Sequence, residues 1–177
     1  LMLIALVSLL AGGVVLSFAA SPPVAERLGL PSYHFVIRQA FFAVPALAVM
    51  IGVSFLPNRK VRRLALILFA VMLVATIATL FLGDEAKGAR RWLSILGVSV
   101  QPAEFLKPAF VILTAFLFAE GAKRPELPGK LFAVLLLAMV VAPLVAQPDF
   151  GQTMLISIVW CAMFFLAGMP WKWVVSL

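Results

Sequence analysis

Charged side chains are scarce in this chain. Asp, Glu, Lys and Arg make up 12% of its 177 residues, whereas 64% are hydrophobic and the mean hydropathy is +1.15. A globule in water needs more polar residues than this to cover its surface, so the composition excludes a water-soluble domain. We therefore predict an all-α fold, a polytopic bundle of helices integral to a membrane.

Cysteine, histidine and acidic residues are also rare. Cys161 is the single cysteine, so an internal disulfide is excluded and the redox compartment stays open. One histidine and seven acidic residues form no cluster with metal-ligand spacing, and no cofactor is evident. The net charge of +7 does not require a nucleic-acid partner, because membrane orientation and anionic lipid head groups account for it.

The hydrophobic residues gather into long stretches with few charges. Each reaches about the 17–25 residues that a helix needs to cross hydrocarbon. The predicted spans are residues 1–20, 35–56, 64–82, 100–119, 131–147 and 152–169. No linker or low-complexity segment separates them, so residues 1–177 are predicted to form a single transmembrane domain. The chain starts at Leu1 and stops within a further hydrophobic run, Val174–Leu177, which indicates a truncated seventh span and a fragment of a longer protein.

Lys and Arg in the connections predict the orientation, because cytoplasmic loops carry an excess of them. A cytoplasmic N-terminus places eight inside: Arg59, Lys60, Arg62, Arg63, Lys123, Arg124, Lys130 and Lys172. It places four outside: Arg27, Lys87, Arg90 and Arg91. Three of those four lie in the single loop of residues 83–100, so this outer loop is an exception to the excess of basic residues on the cytoplasmic side. Two adjacent arginines in a short outer loop favour an anionic partner over a solvated charge run.

Ionisable residues also lie at the mouths of two spans. Glu104 and Lys107 open the fourth span, and Asp149 opens the sixth. A charge at the bilayer centre costs about 2.5–3.5 kcal/mol on insertion scales, so such residues are a functional-site hypothesis by default. On the predicted topology the 83–100 loop and the 147–151 junction both face the outer side, where they can share one cavity.

Each of these residues also has a purely structural interpretation. Glu104 and Lys107 are spaced i, i+3 on one helical face and can simply neutralise each other. Asp149 and Gln152 have the spacing of a capping box, which starts a helix without any chemistry. Trp92 can belong to the aromatic belt at the membrane interface. The sequence leaves both interpretations of Asp149 open.

Three motifs follow one another at the boundaries of these spans. They are Gly88-Ala89-Arg90-Arg91-Trp92, Gln101-Pro102-Ala103-Glu104-Phe105-Leu106-Lys107 and Gln147-Pro148-Asp149-Phe150-Gly151-Gln152-Thr153. In order and spacing they resemble the SEDS family, which comprises FtsW, RodA and SpoVE, and the resemblance extends over most of the chain. Ala103 departs from the serine usual in the family. Phe150-Gly151-Gln152-Thr153 is more similar to the FtsW branch than to RodA.

The resemblance implies a peptidoglycan glycosyltransferase of about ten spans in the bacterial inner membrane. Such proteins polymerise lipid II into glycan strands during septal cell-wall synthesis. The implied partners are lipid II, the growing glycan strand, a class B penicillin-binding protein that cross-links the strands, and other membrane proteins of the divisome. The resemblance suggests that a divalent cation assists, and no residue of this sequence indicates a site for it. The alternatives are a lipid II flippase, for which a charged cavity is equally natural, and a non-enzymatic divisome scaffold.

The resemblance also implies roles for particular residues. Arg90 and Arg91 would bind pyrophosphate or sugar, and Trp92 would pack beside the glycan. Four further residues would line the cavity: Gln101, Glu104, Lys107 and Asp149. The essential aspartate of the family, the expected catalytic base, lies in an outer loop between the seventh and eighth spans, beyond residue 177. We therefore expect this stretch to be inactive by itself.

Overall fold

The computed structural model describes residues 2–27, 29, 31–86, 89–95, 98–124 and 126–168. Within these residues the chain forms six helices and three short strands. It separates into two units, Leu1–Pro57 (unit 1) and Asn58–Leu177 (unit 2). The six helices of the described part occupy the six predicted spans, so the all-α fold class is confirmed.

Unit 1 is a pair of helices joined by a short turn. α1 spans Met2–Arg27 and α2 spans His34–Ser54. The Ser21 hydroxyl donates to the Ser32 carbonyl oxygen at 2.9 Å, and the Ser17 hydroxyl donates to Gln39 Oε1 on α2. α1 continues to Arg27, past the predicted span end at residue 20, because the hydrophobic stretch marks only the part of a helix that lies in hydrocarbon.

Unit 2 contains the remaining elements. Its helices are α3 (Asn58–Leu82), α4 (Pro102–Lys123), α5 (Gly129–Ala146) and α6 (Phe150–Leu166). Between α3 and α4 lie β1 (Asp84–Ala86), β2 (Ala89–Ile95) and β3 (Val98–Val100). α4 is the central helix, since it packs against α3, α5 and α6 and also contacts β2.

The core of unit 2 is built on the buried face of α4. Leu106 and Phe110 are fully buried there. Farther along the bundle, the Trp160 ring lies 5.9 Å from the Phe118 ring and 4.9 Å from the Phe164 ring, measured between centroids. Trp160 Nε1 donates to the Ala133 carbonyl oxygen at 3.1 Å. This bond satisfies a buried donor and links α6 to α5.

β1, β2 and β3 form an antiparallel sheet in the order β1-β2-β3, where the sequence analysis predicts only a loop. Trp92 lies opposite Asp84, and Leu93 lies opposite Val100. The alternation of apolar and hydroxyl residues in Leu93-Ser94-Ile95 and Val98-Ser99-Val100 is typical of strands. Pairing also satisfies backbone groups that have no helical partner.

The helices of unit 2 define two ends. The sheet end contains β1–β3, the beginning of α4 and the beginning of α6; at the basic end α3 and α5 begin and α4 stops. Seven basic residues lie at the basic end: Arg59, Lys60, Arg62, Arg63, Lys123, Arg124 and Lys130. Arg90 and Arg91 lie at the sheet end. Unit 2 thus separates its basic residues as the predicted orientation requires, and the side of the membrane that each end faces stays a prediction.

Helix length and hydropathy support several membrane crossings. Among the described residues, four helices are long and apolar enough to cross a membrane, namely α2, α3, α4 and α5. Shorter apolar stretches, Val7–Pro22 in α1 and Phe150–Leu166 in α6, lie in the first and sixth predicted spans. The predicted seventh span lies outside the described residues, and the single domain of residues 1–177 stays a prediction.

α4 and α5 approach closely at the basic end, at Gly129. A Cβ at Gly129 would lie 2.4 Å from the Leu117 carbonyl oxygen and 2.9 Å from Gly121 Cα. We expect Gly129→Ala to lower the free energy of unfolding by about 1–3 kcal/mol, because these backbone atoms cannot yield without moving a helix. The measurement is the unfolding free energy of the detergent-purified protein.

The matched control for this prediction is Gly52→Ala in α2. A Cβ at Gly52 meets nothing within 4 Å, so this substitution is expected to be neutral or to stabilise by about 0.5–1 kcal/mol through reduced backbone entropy of the unfolded chain. Equal unfolding free energies for the two variants would contradict the close approach of α4 and α5.

Candidate functional site

β2 presents its side chains alternately to the helices and away from them. Arg91 and Leu93 are partly buried, whereas Arg90, Trp92 and Ser94 are exposed. Successive residues of a strand point to opposite faces, so Arg91 lies on the face that packs against the helices, where it reaches Asp149, and Arg90 lies on the other face. The two arginines, which the sequence analysis treats as one pair, therefore have different environments.

Asp149 is the N-cap residue of α6 and also the partner of Arg91. Its carboxylate is 5% exposed, and its Oδ1 lies 3.3 Å from Arg91 Nη1. Gln101 Nε2 donates to Oδ2 at 3.4 Å, and the Gln152 backbone N–H donates to Oδ1 at 3.4 Å. Asp149 thus caps α6, as the structural interpretation predicts, and also pairs with Arg91; its role in a functional site stays a prediction.

Gln152 joins the second ion pair to α6. Lys107 Nζ lies 2.6 Å from Glu104 Oε2, within α4. The Gln152 side chain donates from Nε2 to Glu104 Oε1 at 2.7 Å, and its Oε1 accepts from Lys107 Nζ at 3.0 Å. Instead of completing the capping box, the Gln152 amide closes a ring with the two charged side chains. Sequence reasoning identified Gln152 only as a capping residue and missed this bridge.

These contacts define one site at the sheet end, which we call the polar cluster: Arg91, Gln101, Glu104, Lys107, Asp149 and Gln152. It contains five of the predicted site residues. Arg90 and Trp92 lie on the outward face of β2, away from these contacts. Lys87 and Gly88, which belong to the predicted outer loop, lie outside the described residues.

The polar cluster balances its own charge. It contains two cations and two carboxylates, each cation paired with one carboxylate. Arg91 still has unused donors, since its buried Nε has no hydrogen-bond partner in the described part of the chain. The 29% exposed Arg91 side chain is therefore held in place by Asp149 through one of its five N–H donors.

Gln147 fixes the position of the junction between α5 and α6. It is 2% exposed, and its Nε2 donates to the Thr76 carbonyl oxygen at 2.7 Å and to Thr79 Oγ1 at 2.5 Å. These bonds tie the junction to α3, two residues before Asp149. The sequence shows Gln147 only as part of a motif, because its partners lie about 70 residues earlier and become neighbours only through the fold.

The residues of the polar cluster do not form a site for the divalent cation that the resemblance implies. Among the described residues no group of three His, Cys, Asp or Glu is placed to hold a metal ion. Glu104 and Asp149 are already neutralised by Lys107 and Arg91, whereas a hard cation needs several free oxygen ligands.

Long apolar helices around a charged cluster at one end define a multi-pass membrane protein with an ionisable site near a membrane surface. The resemblance of its motifs is confirmed by comparison of the whole sequence. A model of the FtsW/RodA/SpoVE family, described as cell cycle proteins, matches residues 1–177. The chain belongs to this family.

Relatives with similar sequences are named probable peptidoglycan glycosyltransferase FtsW. The Caulobacter vibrioides protein is 43% identical over 166 residues, which cover 93% of this chain and 43% of the relative. The Acinetobacter baylyi protein is 31% identical over 166 residues, which cover 93% of this chain and 42% of the relative. The chain thus spans less than half of the length of these relatives.

Solved structures share the fold. The crystal structure of the rod shape determining protein RodA from Thermus thermophilus matches with a TM-score of 0.77 and 27% identity, covering 97% of this chain and 56% of that chain. A second solved structure concerns how a peptidoglycan synthase complex coordinates polymerisation and crosslinking. One of its chains matches this chain with a TM-score of 0.66 and 26% identity. That match covers 93% of this chain and 49% of the other.

Proposed function

We propose that the protein to which this chain belongs is a peptidoglycan glycosyltransferase of the FtsW type, which polymerises lipid II into glycan strands. The observation that carries the proposal is the polar cluster, with Arg91 held at the mouths of α4 and α6. The type of reaction is inferred from the relatives, which are named probable peptidoglycan glycosyltransferase FtsW. The chain is then a part of the enzyme, since it spans less than half of the length of these relatives.

The proposed reaction needs positive charge beside the leaving group. A sugar hydroxyl oxygen attacks the anomeric carbon of the donor, and the bond from that carbon to the pyrophosphate oxygen breaks. Pyrophosphate linked to the polyprenyl chain departs with the electron pair of that bond, and a carboxylate base accepts the hydroxyl proton. An oriented guanidinium stabilises the negative charge that develops on the leaving oxygen.

Arg91 is the residue that we assign to the leaving pyrophosphate. Asp149 Oδ1 lies 3.3 Å from Arg91 Nη1, and this contact orients the guanidinium before any substrate binds. The remaining donors of Arg91 can bind phosphate oxygens in the bidentate manner that favours arginine over lysine. The Arg91–Asp149 pair is thus a preorganised donor.

The other candidates receive supporting roles. Arg90 and Trp92 lie on the outward face of β2, where they would contact the sugars of the donor or of the growing strand. Glu104 and Lys107, bridged by Gln152, would set the electrostatic field of the cavity wall. Both carboxylates of the polar cluster are engaged in ion pairs, so neither is assigned as the base. That base would lie in a part of the protein that this chain does not include.

We infer the partners of the protein and its location in the cell from its similarity to related proteins. A class B penicillin-binding protein would cross-link the product strands, an assignment supported by the similarity to a chain of a peptidoglycan synthase complex. Other divisome membrane proteins would recruit the pair to the division septum in the inner membrane. The N-terminus would be cytoplasmic, which places the sheet end and its polar cluster on the outer side.

The test is lipid II polymerisation by the purified full-length protein with its penicillin-binding partner, in the presence of a transpeptidase inhibitor. Labelled glycan strands resolved by gel electrophoresis are the expected product. A parallel measurement follows labelled lipid II across the bilayer of proteoliposomes. If a folded protein moves lipid II across the bilayer but makes no strands, the proposal is overturned in favour of a flippase. If it shows neither activity, the scaffold role is favoured.

A further inference from the structure

A groove of about 600 Å³ opens at the basic end of unit 2, far from the polar cluster. We call it the arginine groove. Its α3 side consists of Arg59, Arg62, Arg63 and Leu66, which lie at i, i+3, i+4 and i+7 and therefore share one helical face. The volume falls within the roughly 300–1,000 Å³ typical of ligand pockets.

The rest of the arginine groove is apolar. α5 contributes Phe132, Leu135 and Met139, again on one face, and these side chains are about half exposed. Leu113 and Phe116 of α4 form the floor. From Phe132 to Met139 this wall is about 10 Å long at 1.5 Å per residue, which is shorter than half of a hydrocarbon core of about 30 Å.

The arginines at the mouth of the groove have no acidic partner in the described part of the chain. Within the described residues, Arg59, Arg62 and Arg63 form no ion pair, whereas Arg124 at the same end lies 3.2 Å from Glu120. The Arg62 guanidinium lies over the Phe116 ring, with Cζ 4.4 Å from the ring centroid. This stacking fixes one face of the guanidinium and leaves its edge, which carries the N–H donors, uncovered by the ring.

We propose that the arginine groove binds one anionic phospholipid, with its phosphate on the three arginines and the upper part of one acyl chain against the α5 wall. A hydrophobic helix seated there would cover the apolar wall but leave the guanidinium groups without anions, which is unfavourable in a desolvated site. A soluble anion would satisfy the arginines but leave the wall empty. An anionic phospholipid satisfies both. This site goes beyond the proposed glycosyl transfer, which takes place at the opposite end.

The test is native mass spectrometry of the full-length protein in detergent with phosphatidylglycerol or phosphatidylethanolamine of identical acyl chains. The wild-type protein is expected to retain phosphatidylglycerol preferentially. The variant Arg59→Gln/Arg62→Gln/Arg63→Gln is expected to bind it about a hundredfold more weakly, given the attraction of each basic residue to an anionic lipid. The control Lys123→Gln/Arg124→Gln/Lys130→Gln removes the same charge from the same end but outside the groove. Its affinity for phosphatidylglycerol should fall far less.

A second variant tests whether lipid binding requires the groove or only the positive charge at the surface. Leu135→Trp fills the groove and leaves every arginine in place, and it is expected to lower phosphatidylglycerol retention as well. Because Leu135 is about half exposed, this change should not prevent folding. Equal retention of the two lipids, equal loss in the two triple variants, or unchanged retention in Leu135→Trp would each overturn the proposal.

Discussion

Replacing Arg91 with alanine in the full-length protein is expected to lower the rate of lipid II polymerisation by about 100- to 1,000-fold, the loss typical when one preorganised donor is removed from a developing oxyanion. The structural reason is that Asp149 already orients Arg91 at the helix mouths, so the guanidinium needs no reorganisation when negative charge develops. The measurement is the initial rate of strand formation from labelled lipid II at several concentrations.

Two further variants make this result specific. Arg91→Lys keeps the charge but loses the planar fork of donors, so its rate is expected to lie between those of wild type and Arg91→Ala. Arg124→Ala removes the same charge from the basic end, where Arg124 pairs with Glu120 on an exposed surface, and should polymerise normally. If Arg91→Ala were as active as Arg124→Ala, Arg91 would have no role in the reaction.

Asp149→Ala is expected to lower the free energy of unfolding by about 2–3 kcal/mol, the sum of a lost helix cap and a lost charge-assisted contact; the 29% exposure of Arg91 keeps the effect below that of a fully buried ion pair. The substitution leaves Arg91 without its counterion and deprives the Gln152 backbone N–H of its cap. Asp149→Asn keeps an oxygen for that N–H and should be less harmful. Unfolding free energies of the purified variants test both statements, and wild-type stability of Asp149→Ala would show that the pair does not form.

A double variant distinguishes loss of folding from loss of chemistry. Arg91→Ala/Asp149→Asn removes both charges together, so it is expected to be more stable than Arg91→Ala alone. Its polymerisation rate should nevertheless stay as low as that of Arg91→Ala, because the guanidinium is still absent. Recovery of polymerisation along with stability would mean that Arg91 acts through folding and does not contact the leaving group.

Much of the site could be predicted because membrane topology restricts where charges can lie. Glu104, Lys107 and Asp149 each open a hydrophobic span, and the predicted topology brings those span ends to one side of the membrane. The structure places these three residues in one polar cluster. Hydropathy likewise predicts the helices, because the length of an apolar stretch is set by the thickness of the hydrocarbon.

Other features depend on geometry that the sequence does not contain. β2 separates Arg90 from Arg91, but the inward position holds a charged residue, so the usual apolar alternation does not reveal it. Gln152 reaches Glu104 only because α6 is rotated to face α4. The arginine groove likewise requires three helix faces to meet, and hydropathy alone does not predict which faces those are.

The junction between α5 and α6 has a mechanical consequence. Within six residues the chain binds three different elements: Gln147 contacts α3, Asp149 contacts β2, and Gln152 contacts α4. A rotation or sliding of α6 would have to break all of these attachments together. The beginning of α6 is therefore coupled to α3, β2 and α4, and a shift of any one of these elements is transmitted to the others through the junction.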